Sequence, residues 1–368
     1  MEKYITVVGI DLGDKQSVYK ALAMSTGENV QAGSIQTTKA GLTRAFGGWE
    51  PTLFVIEACG QSRWVSEHLG AMGHEVLVGN TRKLRCIYDT DDKSDVRDAD
   101  MLARMGRFDQ KLLYPIQHRG KEAQEHLALL KSRDATVAVR TKLINHVRGV
   151  VKGAGERLPS SSADYFHTKV ADEIPSGLKS ALAPLLECIG NLTQTIRAYD
   201  KQIDALCKHY PAAEVLQSIS GVGPITSLGY ILTLEFPERF EDSRKVASFA
   251  GLTPKRDQSG ETDKQLRITK AGSGFLRKLL VGAAQYILGP FGKDSELRRW
   301  GLRLAERGGK NGKKRAVVAV ARKLAVLLHR MWLNGMLYEP FPKGIPVEAV
   351  EAAGAQMAAN DSSPLCPA

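Results

Sequence analysis

The sequence predicts a mixed α/β domain at the front and a helical remainder. Three observations carry that expectation. Short apolar runs alternate with amphipathic stretches over residues 1–80, apolar residues recur every seven positions through the middle, and the last third is helical pattern broken by Gly and Pro. A chain of 368 residues is long for a single core. We expect an α/β domain at 1–112, a helical coiled-coil domain at 113–210, a mainly helical domain at 211–343 and a tail at 344–368.

In chain order, Ile5–Ile10, Val18–Met24 and Val30–Ile35 read as strands separated by Asp/Gly/Lys and Thr/Gly/Glu/Asn turn chemistry. A short helix follows Thr38, then a fully apolar strand at Leu53–Ile56, a helix over Ser62–Met72, a strand at Glu75–Gly79 and a helix over Asp95–Phe108. In the middle, Leu182, Leu185, Ile189, Leu192, Ile196, Tyr199, Ile203 and Leu206 step alternately by three and four, a heptad seam. Leu130, Val137, Ile144 and Val151 repeat every seven residues upstream. Two such helices can pair within one chain or between two copies, and the spacing leaves both open. Pro159–Ser162 and Pro175–Gly177 mark the breaks. From Leu216 the pattern is helix, Gly-rich turn, helix, continuing to Met336 as mainly helices. The Pro-, Ala- and Ser-containing stretch after Lys343 predicts disorder.

Composition excludes several classes. With 43% hydrophobic and 25% charged residues, the bulk is expected to be an ordinary soluble globular protein. Cys59, Cys86, Cys188, Cys207 and Cys366 are scattered, which argues against a disulfide framework or a cysteine zinc site and suits a reducing cytoplasm. Met1–Tyr4 runs directly into a strand, so no signal peptide is expected. Arg322 and Lys323 interrupt the apolar run Ala316–Leu328, so no membrane span is expected. Net charge is +11, and Pro254 to Arg330 holds 19 Lys/Arg against 6 Asp/Glu. That excess points to a polyanionic partner, nucleic acid before membrane because no apolar anchor accompanies it. Lys255, Arg256, Lys313, Lys314 and Arg315 are the candidate contacts.

Three groups of acids could hold a metal. Asp11, in Ile10-Asp11-Leu12-Gly13, ends the first strand, at the carboxyl edge where open sheets place ligands. Sugar kinases and actin-like ATPases carry a similar run to bind phosphate, but the later phosphate and adenosine loops are not found here. Glu57 ends the apolar strand Leu53–Ile56 and needs a partner or a metal if buried. Asp95 and Asp98 share a helix face at i and i+3, with Asp100 pointing elsewhere; the alternative for Asp95 is a helix N-cap. Carboxylates from two strand ends and a helix supply the hard oxygens that Mg²⁺ prefers, as in the ribonuclease-H fold of Holliday-junction resolvases.

Further along, Leu216-Gln-Ser-Ile-Ser-Gly221-Val-Gly223-Pro224-Ile-Thr-Ser-Leu228 resembles a helix-hairpin-helix, in which Gly221 and Gly223 admit a DNA phosphate and Pro224 suits the first helical turn. Downstream lies Phe249-Ala-Gly-Leu-Thr-Pro-Lys-Arg-Asp-Gln-Ser259-Gly260. Taken with Asp11, Glu57-Ala-Cys-Gly and Lys93-Ser-Asp95-x-x-Asp98-Ala, the order over residues 5–335 resembles the DEDD-type insertion-sequence transposases of the insertion-sequence one-ten family, the bridge-RNA-guided recombinases.

That resemblance implies a RuvC-like, ribonuclease-H-like front domain, with Asp11, Glu57, Asp95 and Asp98 as metal-binding acids for Mg²⁺ or Mn²⁺. It implies Ser259 as a nucleophile that becomes joined to DNA, in a site assembled between protomers of a dimer or tetramer. It also implies donor and target DNA and an element-encoded guide RNA as partners, in a bacterial or archaeal nucleoid. Cys59 departs from the Thr usual after Glu-Ala, and Asp100 is an extra acid that leaves the helix register open. A hydrolytic junction resolvase using the same acids, or a non-catalytic helix-hairpin-helix DNA binder, would share much of this pattern.

Overall fold

The computed structural model describes residues 3–84, 94–259 and 262–342. The expected tail at 344–368 lies outside the described residues, as do Lys93 and Gly260. The chain forms two compact units, Met1–His118 and Arg119–Ala368.

The first unit is a five-stranded sheet in the order β3-β2-β1-β4-β5. Its strands are β1 (Thr6–Asp11), β2 (Gln16–Ala23), β3 (Asn29–Gln36), β4 (Leu53–Glu57) and β5 (Glu75–Gly79). Here β2 runs antiparallel to both β1 and β3, whereas β1, β4 and β5 are mutually parallel. The arrangement is compatible with the ribonuclease-H-like domain expected. Alternation along the strands makes both faces apolar. Val8, Ile10, Phe54 and Ile56 pack with Leu42 and Phe46 of α1 (Lys39–Phe46) and Val65 and Leu69 of α2 (Ser62–Ala71). Val7, Leu22, Leu53 and Val55 pack on the other side with Leu102 and Ala103 of α3 (Asp95–Phe108). Thr38 caps α1, its hydroxyl accepting from the Gly41 amide.

The second unit opens with two long helices, α4 (Lys121–Gly153) and α6 (Ser176–Cys207), bridged through the single turn α5 (Phe166–Lys169). They are antiparallel partners within one chain. Ile144, Val147 and Val151 share a core with Leu182, Leu186 and Ile189 at one end, and Ala123, Leu127 and Leu130 meet Ile203 at the other. The buried line on α6 is Leu182, Leu186, Ile189, Thr193, Ile196 and Ile203, so half of the predicted seam is buried while Leu185, Leu192, Tyr199 and Leu206 are half-buried. Midway the line turns polar: Arg140 is buried and donates to Asp164 at 2.7 Å and to Thr193 at 3.2 Å, and Arg133 pairs with Asp200.

Beyond lie α7 (Pro211–Gln217), α8 (Pro224–Leu234), α9 (Ser243–Phe249), α10 (Gly274–Leu288), α11 (Glu296–Arg307) and α12 (Gly312–Asn334) around one apolar core. Interrupting them is a two-stranded antiparallel ribbon, β6 (Pro254–Ser259) and β7 (Thr262–Ile268), in a region where the sequence led us to expect mainly helices and named no strand. Its exposed β6 carries no apolar alternation to announce a strand. Among the described residues no helix is long and apolar enough to cross a membrane.

Candidate active site and nucleic-acid contacts

In the first unit, Ile10 lies opposite Ile56 in the parallel pair β1–β4, so Asp11 and Glu57 leave the sheet side by side at its carboxyl edge. Four fully buried residues, Leu53–Ile56, hold β4 in register, and both acids are half-buried where the strands emerge. Helix α3 is drawn onto this sheet by glycine. A Cβ on Gly9 would lie 2.1 Å from the Ala99 carbonyl oxygen and 2.5 Å from the Ala103 amide, and one on Gly106 would lie 2.4 Å from Val55 Cγ2 and 3.3 Å from Val7 Cγ2. Moving along α3 therefore means moving back along β1. The helix runs antiparallel to the strand, with its N-terminus at the carboxyl edge.

The N-cap of α3 is Ser94, whose side chain accepts from the Arg97 amide, so Asp95 is the first helical residue and not the cap. Asp95 is exposed and Asp98 is buried. Two acids in a first turn suit the positive end of the helix dipole. Asp11, Glu57 and Asp98 thus come to one edge of the sheet, with Asp95 on its solvent side. Among the described residues, no three His, Cys, Asp or Glu side chains are gathered closely enough to hold an ion. Their chemistry, hard carboxylate oxygen throughout, is nevertheless the donor set that suits Mg²⁺ or Mn²⁺.

Asp100 stands apart from this group. It faces β2, where it pairs with Lys20 at 3.0 Å, and it accepts from Arg104 at 2.7 Å. Burial pushes its carboxyl up, but the two cations outweigh that and hold it below the usual Asp range.

In the second unit, α7 and α8 flank the turn Ser218–Gly223. The two glycines there differ. Gly221 sits at φ +99°, and a Cβ on it would lie 2.9 Å from Tyr286 Cδ1 and 3.2 Å from Ile287 Cγ1, so its missing side chain admits α10. Gly223 is the exposed N-cap of α8, with open space where a Cβ would be, and Pro224 follows at the first helical position. Ser259 is the last residue of β6, exposed, and opposite Thr262 at the tip of the ribbon.

Phe-Ala-Gly-Leu-Thr-Pro is the root of that ribbon. Gly251 and Gly272 both take positive φ, and a Cβ on either would lie 2.0 Å or less from a backbone oxygen, of Ala271 and Phe249 respectively. The Thr269 amide donates to the Thr253 carbonyl, and Arg277 donates to the Ala250 carbonyl at 2.9 Å. Lys255 and Arg256 project from the ribbon, exposed. Lys313, Lys314 and Arg315 are exposed in the first turn of α12, with Arg315 donating to the Gly308 carbonyl at 2.8 Å.

Comparison with known proteins places this pattern. Residues 213–295 match the model described as the transposase IS116/IS110/IS902 family, and residues 8–155 match a second transposase model, of the DEDD type. The transposase for insertion sequence element IS1111A of Coxiella burnetii is 30% identical over 287 residues, covering 74% of this chain and 76% of that protein. The chain belongs to the IS110 family of DEDD-type transposases. The "Probable family 20 transposase" of Pseudomonas aeruginosa is 25% identical over 342 residues, covering 90% of this chain and 98% of its own. The pilin gene-inverting protein of Moraxella lacunata is 26% identical over 258 residues, 69% of each chain.

As an IS110-family transposase the protein is a DNA strand transferase. Sequence reasoning missed the residues that fasten the turn after Glu57. Ser62 is fully buried; it donates to the Cys59 carbonyl at 2.9 Å and accepts from the Cys59 amide at 3.1 Å. His118 Nε2 lies 3.1 Å from the same hydroxyl, and Thr81 donates to the Ala58 carbonyl at 2.8 Å. A Ser opening a helix is visible in the sequence, but its pairing with a His 56 residues away is not.

Proposed function

We propose that this transposase cuts and rejoins DNA through a covalent Ser259–DNA intermediate, with Asp11, Glu57, Asp95 and Asp98 holding Mg²⁺, or Mn²⁺ in its place. The observation that carries this reading is the convergence of Asp11, Glu57 and the α3 N-terminus on one sheet edge. The exposure of Ser259 at a ribbon tip supports it. Divalent ions, when bound, supply charge neutralisation to the attacking and leaving oxygens of a phosphodiester.

The chain's own part is a transesterification. Ser259 Oγ bonds to phosphorus as the strand oxygen leaves; the serine proton is given up and the departing strand ends as a hydroxyl. Rejoining reverses the step: the hydroxyl of another strand attacks the phosphoserine and Ser259 recovers its proton. No bond energy is lost to water, which suits recombination without an external energy source. The relative named for inverting a pilin gene favours this over hydrolysis, because inversion must reconnect every end. On this reading donor and target DNA are chosen by pairing with an element-encoded guide RNA, and a dimer or tetramer completes the site. Lys255, Arg256, Lys313, Lys314 and Arg315, with the Gly221–Gly223 turn, grip phosphates without reading sequence.

The test is to stop the reaction of the full-length protein with supercoiled DNA and Mg²⁺ by denaturation. A protein–DNA adduct that yields a peptide carrying Ser259 supports the proposal. Nicked or linear DNA with no adduct would replace it with hydrolysis. Sequencing RNA that copurifies with the protein tests the guide.

A further inference from the structure

The glycine turn has a neighbour that phosphate binding does not use. Residues 286–293 pass from the end of α10 into a loop and bring two aromatic side chains to the surface, the first of them, Tyr286, beside the turn. Tyr286 is 46% exposed and Phe291 is 78% exposed. Tyr286 and Ile287 are the residues against which Gly221 packs. The core-facing side of α10 is already filled by Leu276, Leu280, Ala283, Ala284 and Ile287, so Tyr286 is not needed there.

The loop is held in place. Arg298 donates to the Ile287 carbonyl and, at 2.6 Å, to the Gly289 carbonyl. A Cβ on Gly292 would lie 2.1 Å from the Ile287 oxygen, so the chain closes directly onto the end of the helix. Tyr286 is therefore carried on fixed backbone against Gly221, and Phe291 follows it in the held loop, two residues before the exposed Lys293. Rings next to phosphate-binding groups are how proteins hold unpaired nucleotides: the backbone is gripped, and the bases stack on the aromatic faces whatever their sequence. Strand transfer must unpair bases at the site of exchange, so such nucleotides arise in this protein's own reaction.

We propose that Tyr286 and Phe291 form a stacking platform for unpaired bases of the DNA strand whose phosphates lie at the Gly221–Gly223 turn. The platform rests on reading that turn as a DNA contact, and the experiment separates the two. Fluorescence anisotropy of the full chain would be measured with a labelled oligothymidylate and with a duplex of the same length. Replacing both rings (Tyr286→Ala with Phe291→Ala) is expected to weaken single-strand binding by roughly tenfold per ring while leaving duplex binding unchanged. Tyr286→Phe with Phe291→Trp should retain it.

Equal losses on single strand and duplex, or no loss on either, would overturn the platform. So would a loss of self-association by light scattering with single-strand affinity intact, which would make the rings a contact between two copies. Gly223→Asp brings a negative charge to the turn and should weaken single strand and duplex alike. If it changes neither, the turn reading fails, and the aromatic pair still decides the platform. Photocrosslinking of the unsubstituted protein to 5-iodouracil DNA gives a readout that needs no variant: crosslinks at Tyr286 or Phe291 support the proposal, and crosslinks confined elsewhere overturn it.

Discussion

Gly9 and Ala99 meet backbone to backbone: a Cβ on Gly9 would stand 2.1 Å from the Ala99 carbonyl oxygen. This contact lies one residue from Asp98 and two from Asp11. The same close approach that packs α3 on the sheet therefore brings the helical acids to the strand acids. Gly9→Ala should push α3 away, costing about 1–3 kcal/mol as an overpacked core. Strand cleavage should fall far more than stability does, because the acids separate. The check is a thermal melt beside a plasmid-cleavage assay; a variant that melts lower yet cleaves at the normal rate would uncouple the packing from the acids.

Asp98 and Asp100 share a helix but not a role, and substituting each with Asn should separate them. Asp98→Asn is expected to abolish cleavage with the fold retained. Asp100→Asn should leave cleavage near normal and cost about 1 kcal/mol at neutral pH through the lost pairs with Lys20 and Arg104. Because Asp100 titrates below the usual Asp range in the folded chain, its contribution is complete above that range and is lost as the pH falls through the folded value. Melts of wild type and Asp100→Asn should therefore converge in acid. A constant gap down to the lowest workable pH would show that the pairs contribute nothing.

Much of this was legible in the sequence wherever burial dictates pattern. The apolar run Leu53–Ile56 marked β4, and Asp95–Phe108 matches α3 end for end. The heptad reading kept Leu182, Ile189, Ile196 and Ile203 but took the wrong flank: the buried line on α6 continues with Leu186 and Thr193, where Leu185 and Leu192 were expected. The spacing is the same on either flank, and apolar Leu192 beside polar Thr193 pointed to the wrong one. The β6–β7 ribbon was hidden because its strand residues Lys255–Ser259 are all exposed. What anchors the ribbon is backbone packing at Gly251 and Gly272, which no hydrophobic pattern shows.

The polar layer between α4 and α6 makes its own prediction. Arg140 is buried and held by Asp164 and Thr193. Arg140→Ala removes the Asp164 partner and one of two hydrogen bonds of the Thr193 hydroxyl, which still donates to the Ile189 carbonyl at 2.8 Å, and breaking a buried pair costs about 3–5 kcal/mol. Asp164 is half exposed, so the lower end is expected. Arg140→Met fills the volume and should recover part of that loss. Urea midpoints of the three proteins check this, and an Arg140→Ala variant as stable as the parent would show that water replaces the guanidinium without penalty.

Lys313, Lys314 and Arg315 crowd three cations at the end of α12 that is already positive by its dipole, an arrangement that destabilises the free helix. Bound phosphate would offset the repulsion. Replacing all three with Gln should lower DNA affinity irrespective of sequence and flatten the log–log salt slope by about one unit per lost phosphate contact. The helix itself should melt no lower, although Arg315 also holds the Gly308 carbonyl. A salt titration by anisotropy reads the slope, and an unchanged slope would leave the cluster facing only solvent.

Ser259 decides between rejoining and hydrolysis. It is exposed at the ribbon tip, so removing its hydroxyl should shift stability by no more than about 0.5 kcal/mol. Ser259→Ala should keep the fold and DNA binding, form no adduct and exchange no strands. Ser259→Cys keeps a nucleophile of different size and pKa and is expected to cleave slowly, with the adduct moved to sulfur. Asp11→Asn should leave Ser259 in place and still yield no adduct, because the carboxyl edge would have lost an acid that the attack depends on. The measurement is a denaturing gel of each variant with labelled supercoiled DNA, followed by peptide mapping of the retarded band. Cutting and rejoining by Ser259→Ala, or a band that maps to another residue, would remove the serine from the mechanism and leave the carboxylates acting with water.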